Sequence, residues 1–133
     1  MISRTSRYAL HVLGFLAARP GVRLSAVEIA GQTGIPANYL AKILGRLGKA
    51  GLVDAQKGWG GGFALQPEAA GRPLVDVVEL FDGLGSANPG DCAYGRPRCN
   101  ADNPCALHDD WLLARNTTAA MLTGKHVSDL VNR

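Results

Sequence analysis

Three cysteines, Cys92, Cys99 and Cys105, lie within 14 residues of one another and are the only cysteines of the chain. An odd number argues against a disulfide framework and favours metal or redox chemistry. Zinc ribbons and fingers usually pair their ligands as Cys-x2–4-Cys, whereas six and five residues separate these cysteines. Such wide intervals suit an iron–sulfur cluster, which is broader than one ion, and three thiolates leave at least one coordination position to fill.

His108 is the candidate for the remaining coordination position. It follows Cys105 by three residues, and Asn103-Pro104 is an N-cap and first-turn pair that predicts the start of a helix. Residues three apart share a helix face, and a helix N-terminus favours a thiolate. Two other interpretations stay open, namely thiol oxidation without any metal, and structural zinc or no role at all.

Two predicted helices and the segment between them carry these residues. Leu74 to Phe81 has the apolar spacing of a helix, and a longer helix is predicted from Pro104 to about Leu122. Residues 83–104, here called the cysteine segment, are rich in Gly, Pro, Asn and Asp, which is typical of a loop. A short final helix is predicted over Val127 to Val131.

The first half of the chain predicts three helices followed by a β-hairpin. Ser25 and Glu28 match a capping box in front of the second helix, and Gly34 is placed to end it. Four glycines in the six residues between the strands predict a flexible or tightly turned hairpin tip. The predicted bounds are 6–18, 26–33 and 36–50 for the helices and 52–56 and 63–66 for the strands.

Two helices joined by a tight turn and followed by a hairpin predict a winged helix-turn-helix. We therefore predict a mostly α fold with a small β-hairpin and a long C-terminal helix. The predicted units are a DNA-binding domain at residues 1–82, the cysteine segment at 83–104, and the long helix with its tail at 105–133.

The exposed face of the second helix of such a pair enters the DNA major groove and should be polar and basic. Asn and Arg side chains can pair with adenine and guanine, and Lys reaches phosphates. Glycines at a hairpin tip let the main chain approach the DNA backbone. For Trp59, contact with a sugar or groove and packing against the core are both open. The predicted DNA-contacting residues are Asn38, Tyr39, Lys42, Arg46 and Lys49 on the helix, and Lys57, Gly58, Trp59 and Gly60 at the tip.

The distribution of charge supports a polyanionic partner for the first half. Residues 1–66 hold eight Lys or Arg against two acids, a net charge of +6, whereas residues 67–133 hold six against nine, a net charge of −3. No apolar stretch approaches the roughly 20 residues that a membrane span needs. The N-terminal stretch lacks a signal-peptide cleavage site, so we expect a cytoplasmic protein with no membrane contact.

Several short motifs occur in a characteristic order along nearly the whole chain. They are Arg7-Tyr8-Ala9-Leu10, Asn38-Tyr39-Leu40, Ala50-Gly51-Leu52-Val53, Lys57-Gly58-Trp59-Gly60-Gly61-Gly62-Phe63, Asp76-Val77-Val78-Glu79, and the three cysteines followed by Leu107-His108-Asp109. The chain thereby resembles the BadM/IscR-type family of winged-helix regulators. That family includes the iron–sulfur cluster regulator, a nitric-oxide-sensing repressor and iron-responsive repressors. Lys57 and Trp59 stand where relatives often have Arg and Pro.

The resemblance implies a homodimer that binds a palindromic operator in double-stranded DNA, with the fifth helix at the dimer contact. The set of three cysteines and one histidine resembles the iron–sulfur cluster regulator, which implies a 2Fe-2S cluster. The alternative is a 4Fe-4S cluster, for which some relatives take a ligand from the partner's N-terminal helix. Arg7 stands in place of that acid here, with His11 nearby.

The predicted function is a transcriptional regulator, expected to be a repressor, that senses iron–sulfur, redox or nitric-oxide status. The alternative is a winged-helix regulator that senses redox state through its thiols without a cluster. An enzyme is not expected, because no cysteine-nucleophile motif is present. Asp109 and Asp110 are the only acids placed to orient a Cys105–His108 pair, and we expect them to cap the helix N-terminus instead.

Overall fold

The structure, a computed structural model, describes residues 2–82, 92–95 and 100–132. Its helices are α1 Arg4–Ala17, α2 Ala26–Thr33, α3 Ala37–Lys49, α4 Leu74–Asp82 and α5 His108–Thr123. Its strands are β1 Val53–Gln56 and β2 Gly62–Leu65, and 3-10 helices cover Pro67–Gly71 and Val127–Asn132. The predicted mostly helical fold with one small hairpin is confirmed.

Local capping sets the bounds of the first helices. Ser3 precedes α1, and its side chain accepts a hydrogen bond from the Ser6 N–H (3.1 Å), so the helix begins two residues earlier than predicted. The Ser25 hydroxyl likewise accepts from the Glu28 N–H (3.1 Å). Gly34 adopts φ +75°, a left-handed conformation that favours glycine, and ends α2 as predicted.

The core is built around the apolar face of α1. Its buried residues pack with the stripe of α3 and with α4, and α1 also contacts α2, β2 and the C-terminal 3-10 helix. The predicted stripe of α3 is fully formed, because Leu40, Ile43, Leu44 and Leu47 are all buried. Burial of one such side chain contributes about 1.5–3 kcal/mol, so this stripe fixes which face of α3 is left exposed.

The hairpin is antiparallel and is extended by a third piece of chain. Val53 pairs with Leu65, and Gln56 pairs with Gly62. Leu24, just before α2, exchanges two backbone hydrogen bonds with Phe63 (2.7 and 3.0 Å). The hairpin is thereby held against the entry to α2.

The chain after α5 returns to the first half. The Val127 N–H donates to the Arg72 carbonyl (3.0 Å), and the Leu74 N–H donates to the Lys125 carbonyl (2.8 Å). Val127 is buried, and Leu130 packs on α1 so closely that a Cβ on Gly14 would lie 3.3 Å from it. The last helix is a 3-10 helix that covers part of α1.

The predicted start of the long helix was wrong. It begins at His108, not at Pro104: the His108 N–H donates to the Cys105 carbonyl (3.1 Å) in a separate turn, and the Trp111 N–H donates to the Leu107 carbonyl (2.8 Å) at the start of α5. Cys105 therefore precedes α5 and does not lie in its first turn. None of the described helices is both long and apolar enough to cross a membrane.

Candidate nucleic-acid interface and cysteine site

The face of α3 opposite its buried stripe carries polar and basic side chains. Asn38, Lys42 and Lys49 are all exposed there. They lie on one side of a 13-residue helix whose other side is fixed in the core. This exposed face has the residue types that contact base edges and phosphates in a major groove.

Tyr39 is held by a neighbouring ring. Its side chain is 39% exposed, and it meets Tyr8 of α1 edge to face, with ring centroids 5.9 Å apart and an interplanar angle of 69°. Aromatic pairs of this geometry stabilise a fixed arrangement of both rings. Tyr39 therefore presents its remaining surface in one orientation set by α1.

Arg46 turns towards α4. Its guanidinium donates a hydrogen bond to the carbonyl of Leu80 and lies 5.2 Å from the centroid of the Phe81 ring. The DNA contact expected of Arg46 stays a prediction. The structure gives its side chain a partner within the chain, which sequence spacing alone did not indicate.

The hairpin tip is a tight turn built from glycines. Gly58 and Gly60 have φ of +84° and +70°, and the Gly61 N–H donates to the Gly58 carbonyl (3.0 Å). A Cβ on Gly61 would clash with the Gln56 carbonyl. Trp59 at this tip is fully exposed, so its ring does not fold back on the core. Lys57 is exposed beside it.

Arg23 anchors the hairpin, a role that sequence reasoning missed. Its guanidinium forms an ion pair with the Asp54 carboxylate and lies within 3.5 Å of the Gly62 carbonyl. One of the two acids of the first half is therefore paired within the hairpin. The sequence did contain one indication of this role. Residues 1–66 hold only two acids, and one of them, Asp54, lies in a predicted strand among many basic residues, so an ion pair at the strand could have been expected.

Two of the three cysteines come together. The Sγ atoms of Cys92 and Cys105 lie 3.9 Å apart, and both residues are half-buried. The carbonyl of Cys105 accepts a hydrogen bond from the N–H of His108 (3.1 Å), which is buried at the start of α5. Cys99 lies outside the described residues. Within residues 2–82, 92–95 and 100–132, no three His, Cys, Asp or Glu side chains are grouped as a metal site.

A three-helix core, a recognition helix with an exposed basic face and an adjoining hairpin define a winged helix-turn-helix DNA-binding protein. The chain belongs to the Rrf2 family, described as iron-dependent transcriptional regulators, which matches it over residues 2–133. Relatives named BadM and IscR confirm the resemblance drawn from the sequence motifs.

One relative and two solved structures show the extent of the similarity. A protein of Aquifex aeolicus, assigned as an HTH-type transcriptional regulator, is 35% identical over 99% of this chain and 92% of its own. The structure of CymR, the global cysteine regulator of B. subtilis, has a TM-score of 0.77 at 24% identity and covers 99% of this chain and 96% of that chain. The structure of T. potens IscR has a TM-score of 0.76 at 21% identity, and the match covers 99% of this chain and 86% of that chain. The family is one of transcriptional regulators and not of enzymes.

Proposed function

We propose that this chain is a homodimeric repressor whose affinity for operator DNA is set by an iron–sulfur cluster on Cys92, Cys99 and Cys105. The observation that carries the proposal is the 3.9 Å separation of the Cys92 and Cys105 Sγ atoms in a chain of an iron-dependent regulator family. We place this regulator in the cytoplasm, where bacteria such as Aquifex aeolicus, the source of a relative, hold their DNA.

The distance between the two sulfurs fits a shared metal. A tetrahedral metal with metal–sulfur bonds of about 2.3 Å places two sulfur ligands about 3.8 Å apart. A disulfide would instead need about 2.05 Å. Cys99 is the proposed third thiolate and His108 the proposed fourth ligand of a 2Fe-2S cluster. Within the described part of the chain, the His108 side chain is not grouped with the two sulfurs, so ligation requires this side chain to move towards them. When bound, the cluster would supply a centre that responds to iron, oxygen or nitric oxide.

The proposed DNA contacts lie on α3 and on the hairpin tip. Asn38, Tyr39, Lys42 and Lys49 are exposed on the face of α3 that points away from the core. Lys57, Gly58, Trp59 and Gly60 form the tip, where the glycine backbone and the lysine suit a phosphate chain. The +6 charge of residues 1–66 supports a polyanionic partner.

A second copy of the chain is the proposed partner of α5. This 16-residue helix buries three side chains, those of His108, Arg115 and Leu122. Leu113 and Met121 are 66% and 53% exposed on it. Pairing α5 with its copy would cover these side chains. Two α3 helices about one DNA turn apart would then fit a palindromic operator.

The close approach of Cys92 and Cys105 also favours a second candidate, a thiol switch without a cluster. The two thiols could form a disulfide by losing two protons and two electrons to an oxidant such as hydrogen peroxide, which is reduced to two waters. The bond would need the sulfurs to approach by almost 2 Å from the 3.9 Å of the structure.

Anaerobic purification, followed by iron and sulfide counts per chain, separates the two candidates. About two iron and two sulfide ions per chain would support the 2Fe-2S proposal if Cys92→Ser and Cys105→Ser lose them. Ser25→Ala, which lies far from the cysteines, is the control and should keep them. About four iron and four sulfide ions per chain would indicate a 4Fe-4S cluster. The chain would still be a cluster-based sensor, but His108 would no longer be the expected fourth ligand. No iron, together with a Cys92–Cys105 disulfide after peroxide treatment, would favour the thiol switch.

A further inference from the structure

We infer that Trp59 is a specificity-determining residue: its indole enters the minor groove beside the major groove that α3 occupies, and it selects a base step that opens easily. The inference rests on the proposed DNA contacts and deepens them, since it names the DNA feature that the hairpin tip reads. It concerns the choice of DNA sequence alone and does not depend on the state of the cysteines.

Trp59 holds a large apolar ring in water. Its side chain is fully exposed, whereas Phe63 in the following strand packs against the core. An indole buries about 150–250 Å² when it is covered, so an uncovered indole at a projecting tip favours a partner surface. Its only polar atom is one N–H donor. The ring can therefore give a phosphate a single hydrogen bond, and its main recognition surface is its flat apolar face.

The turn at the tip presents this ring in one geometry. Trp59 is the second residue of a four-residue turn, which is closed by a hydrogen bond from the Gly61 N–H to the Gly58 carbonyl (3.0 Å). The third residue, Gly60, has φ +70°, the positive φ that a type II turn requires at this position. Gly61 admits no side chain, because a Cβ there would clash with the Gln56 carbonyl. Trp59 therefore stands at the corner of a turn that only glycines can form.

The hairpin holds this turn at a fixed place beside α3. Two backbone hydrogen bonds join Leu24 to Phe63, and Arg23 pairs with Asp54, so both strands are tied to the chain in front of α2. Each four-residue strand spans about 13 Å, close to the roughly 12 Å width of the major groove. With α3 in the major groove, the tip lies over the neighbouring minor groove. That groove is about 6 Å wide, too narrow for a helix but open to a side chain.

The charge around the ring favours DNA over a protein surface. Lys57 is exposed two residues before Trp59, and Asp54, the one acid of the hairpin, is paired with Arg23. An apolar side chain that enters the minor groove partly separates two stacked base pairs, at a cost that depends on the step. Pyrimidine–purine steps open most easily. The ring should therefore favour a TA, CA or TG step at a fixed distance from the bases that α3 reads.

Selection from a random duplex library tests this preference. Full-length wild type and Trp59→Ala each enrich duplexes under the same anaerobic conditions. We expect the wild-type duplexes to share a TA, CA or TG step outside the bases that α3 contacts. The Trp59→Ala duplexes should keep the α3 bases and lose that step. Because the side chain is fully exposed, thermal unfolding should be the same in both proteins.

Fluorescence anisotropy on two duplexes measures the size of the effect. The second duplex replaces the shared step by AA, which is stiff. We expect Trp59→Ala and the AA step each to weaken binding by about 5- to 150-fold, the loss of one base–aromatic stack, and both together to weaken it no further. A 2-aminopurine beside the shared step should brighten when wild type binds and stay dim with Trp59→Ala, because only the ring unstacks it.

Two further variants at the tip separate the ring from charge. Trp59→Phe keeps a flat ring and should retain part of the step preference. Lys57→Gln is the matched control, which should keep the step preference and lower the slope of log affinity against log salt by about 0.9 for one lost phosphate contact. Trp59→Ala should leave that slope unchanged.

Three results would overturn the inference. An equal loss of affinity on both duplexes in Trp59→Ala would make the ring a contact to sugar or phosphate without selectivity. Unchanged affinity on both duplexes would place Trp59 off the DNA and assign its exposed ring to a protein partner. A wild-type chain that enriches no duplex would overturn the proposed DNA binding together with this inference, whereas the first two results would leave the proposed function intact.

Discussion

Gly62→Ala should destabilise the hairpin more than Gly58→Ala, although both glycines have a positive φ. Gly62 begins β2 with φ +119°, and a Cβ there would lie 2.7 Å from the carbonyl oxygen of Leu24 and 2.8 Å from its carbonyl carbon. These are backbone atoms, so they cannot move aside as the end of a side chain can. They also belong to the residue that exchanges two hydrogen bonds with Phe63.

The size of the effect follows from these two contributions. A residue with a side chain in a sparsely populated conformation costs about 1–3 kcal/mol. Loss of the two backbone hydrogen bonds between Leu24 and Phe63 costs about 1–3 kcal/mol more. Together they are about 2–6 kcal/mol, a large part of the roughly 5–15 kcal/mol that stabilises a typical domain. The matched control is Gly58→Ala, whose φ is +84° but whose Cβ would meet no atom within 4 Å.

Urea unfolding followed by circular dichroism measures the difference between the two variants. We expect the free energy of unfolding to fall by about 1–2 kcal/mol for Gly58→Ala, the cost of the left-handed conformation, and by clearly more for Gly62→Ala. DNA affinity, measured by fluorescence anisotropy at a temperature where both are folded, should fall further for Gly62→Ala. Equal destabilisation by the two substitutions would refute the argument that the Leu24 backbone blocks a side chain at Gly62.

Three further predictions concern capping, assembly and pH. Ser25→Ala should lower the free energy of unfolding by about 1 kcal/mol, because the Glu28 N–H loses its acceptor; no change in thermal unfolding would exclude the cap. Leu113→Lys should shift the protein from dimer to monomer in sedimentation equilibrium, whereas an unchanged dimer would place the interface elsewhere. The hydrogen bond from the His126 backbone N–H holds the pKa of the Asp129 carboxyl below its usual value. The stabilising effect of the Asp129 carboxylate is therefore present above the ordinary aspartate pKa and is lost as the pH falls through the pKa of the folded protein. The Tm advantage of the unmodified protein over Asp129→Asn should shrink on acidification, and an advantage that does not change with pH would contradict this prediction.

The elements of the first half were predictable because their signals are local. The Ser25 cap, the glycine at Gly34 and the apolar stripe of α3 each act within a few residues, and each does in the structure what the sequence predicted. The hairpin also formed within one residue of its predicted bounds. Its tip was predicted to be flexible or tightly turned, and the structure shows the tight turn.

The remaining features depend on contacts between distant residues. The predicted start of α5 was wrong, because residues 105–108 form a separate turn before the helix, and Cys105 in that turn lies beside the distant Cys92. The orientation of Arg46 depends on α4, 34 residues away in sequence. The approach of Cys92 to Cys105 likewise needs the fold, although the cysteine spacing did indicate a shared site. The remaining predicted site residues stay predictions.

The most direct test of the central claim compares DNA affinity and iron content in the same anaerobic preparation. The protein is titrated with a selected duplex before and after removal of iron by a chelator, and Cys105→Ser is treated in parallel. We expect about two iron and two sulfide ions per chain, and an affinity change of at least about fivefold when they are removed. We expect Cys105→Ser to lack both the cluster ions and the change in affinity. Tight DNA binding that is identical with and without iron, and identical in Cys105→Ser, would contradict these expectations.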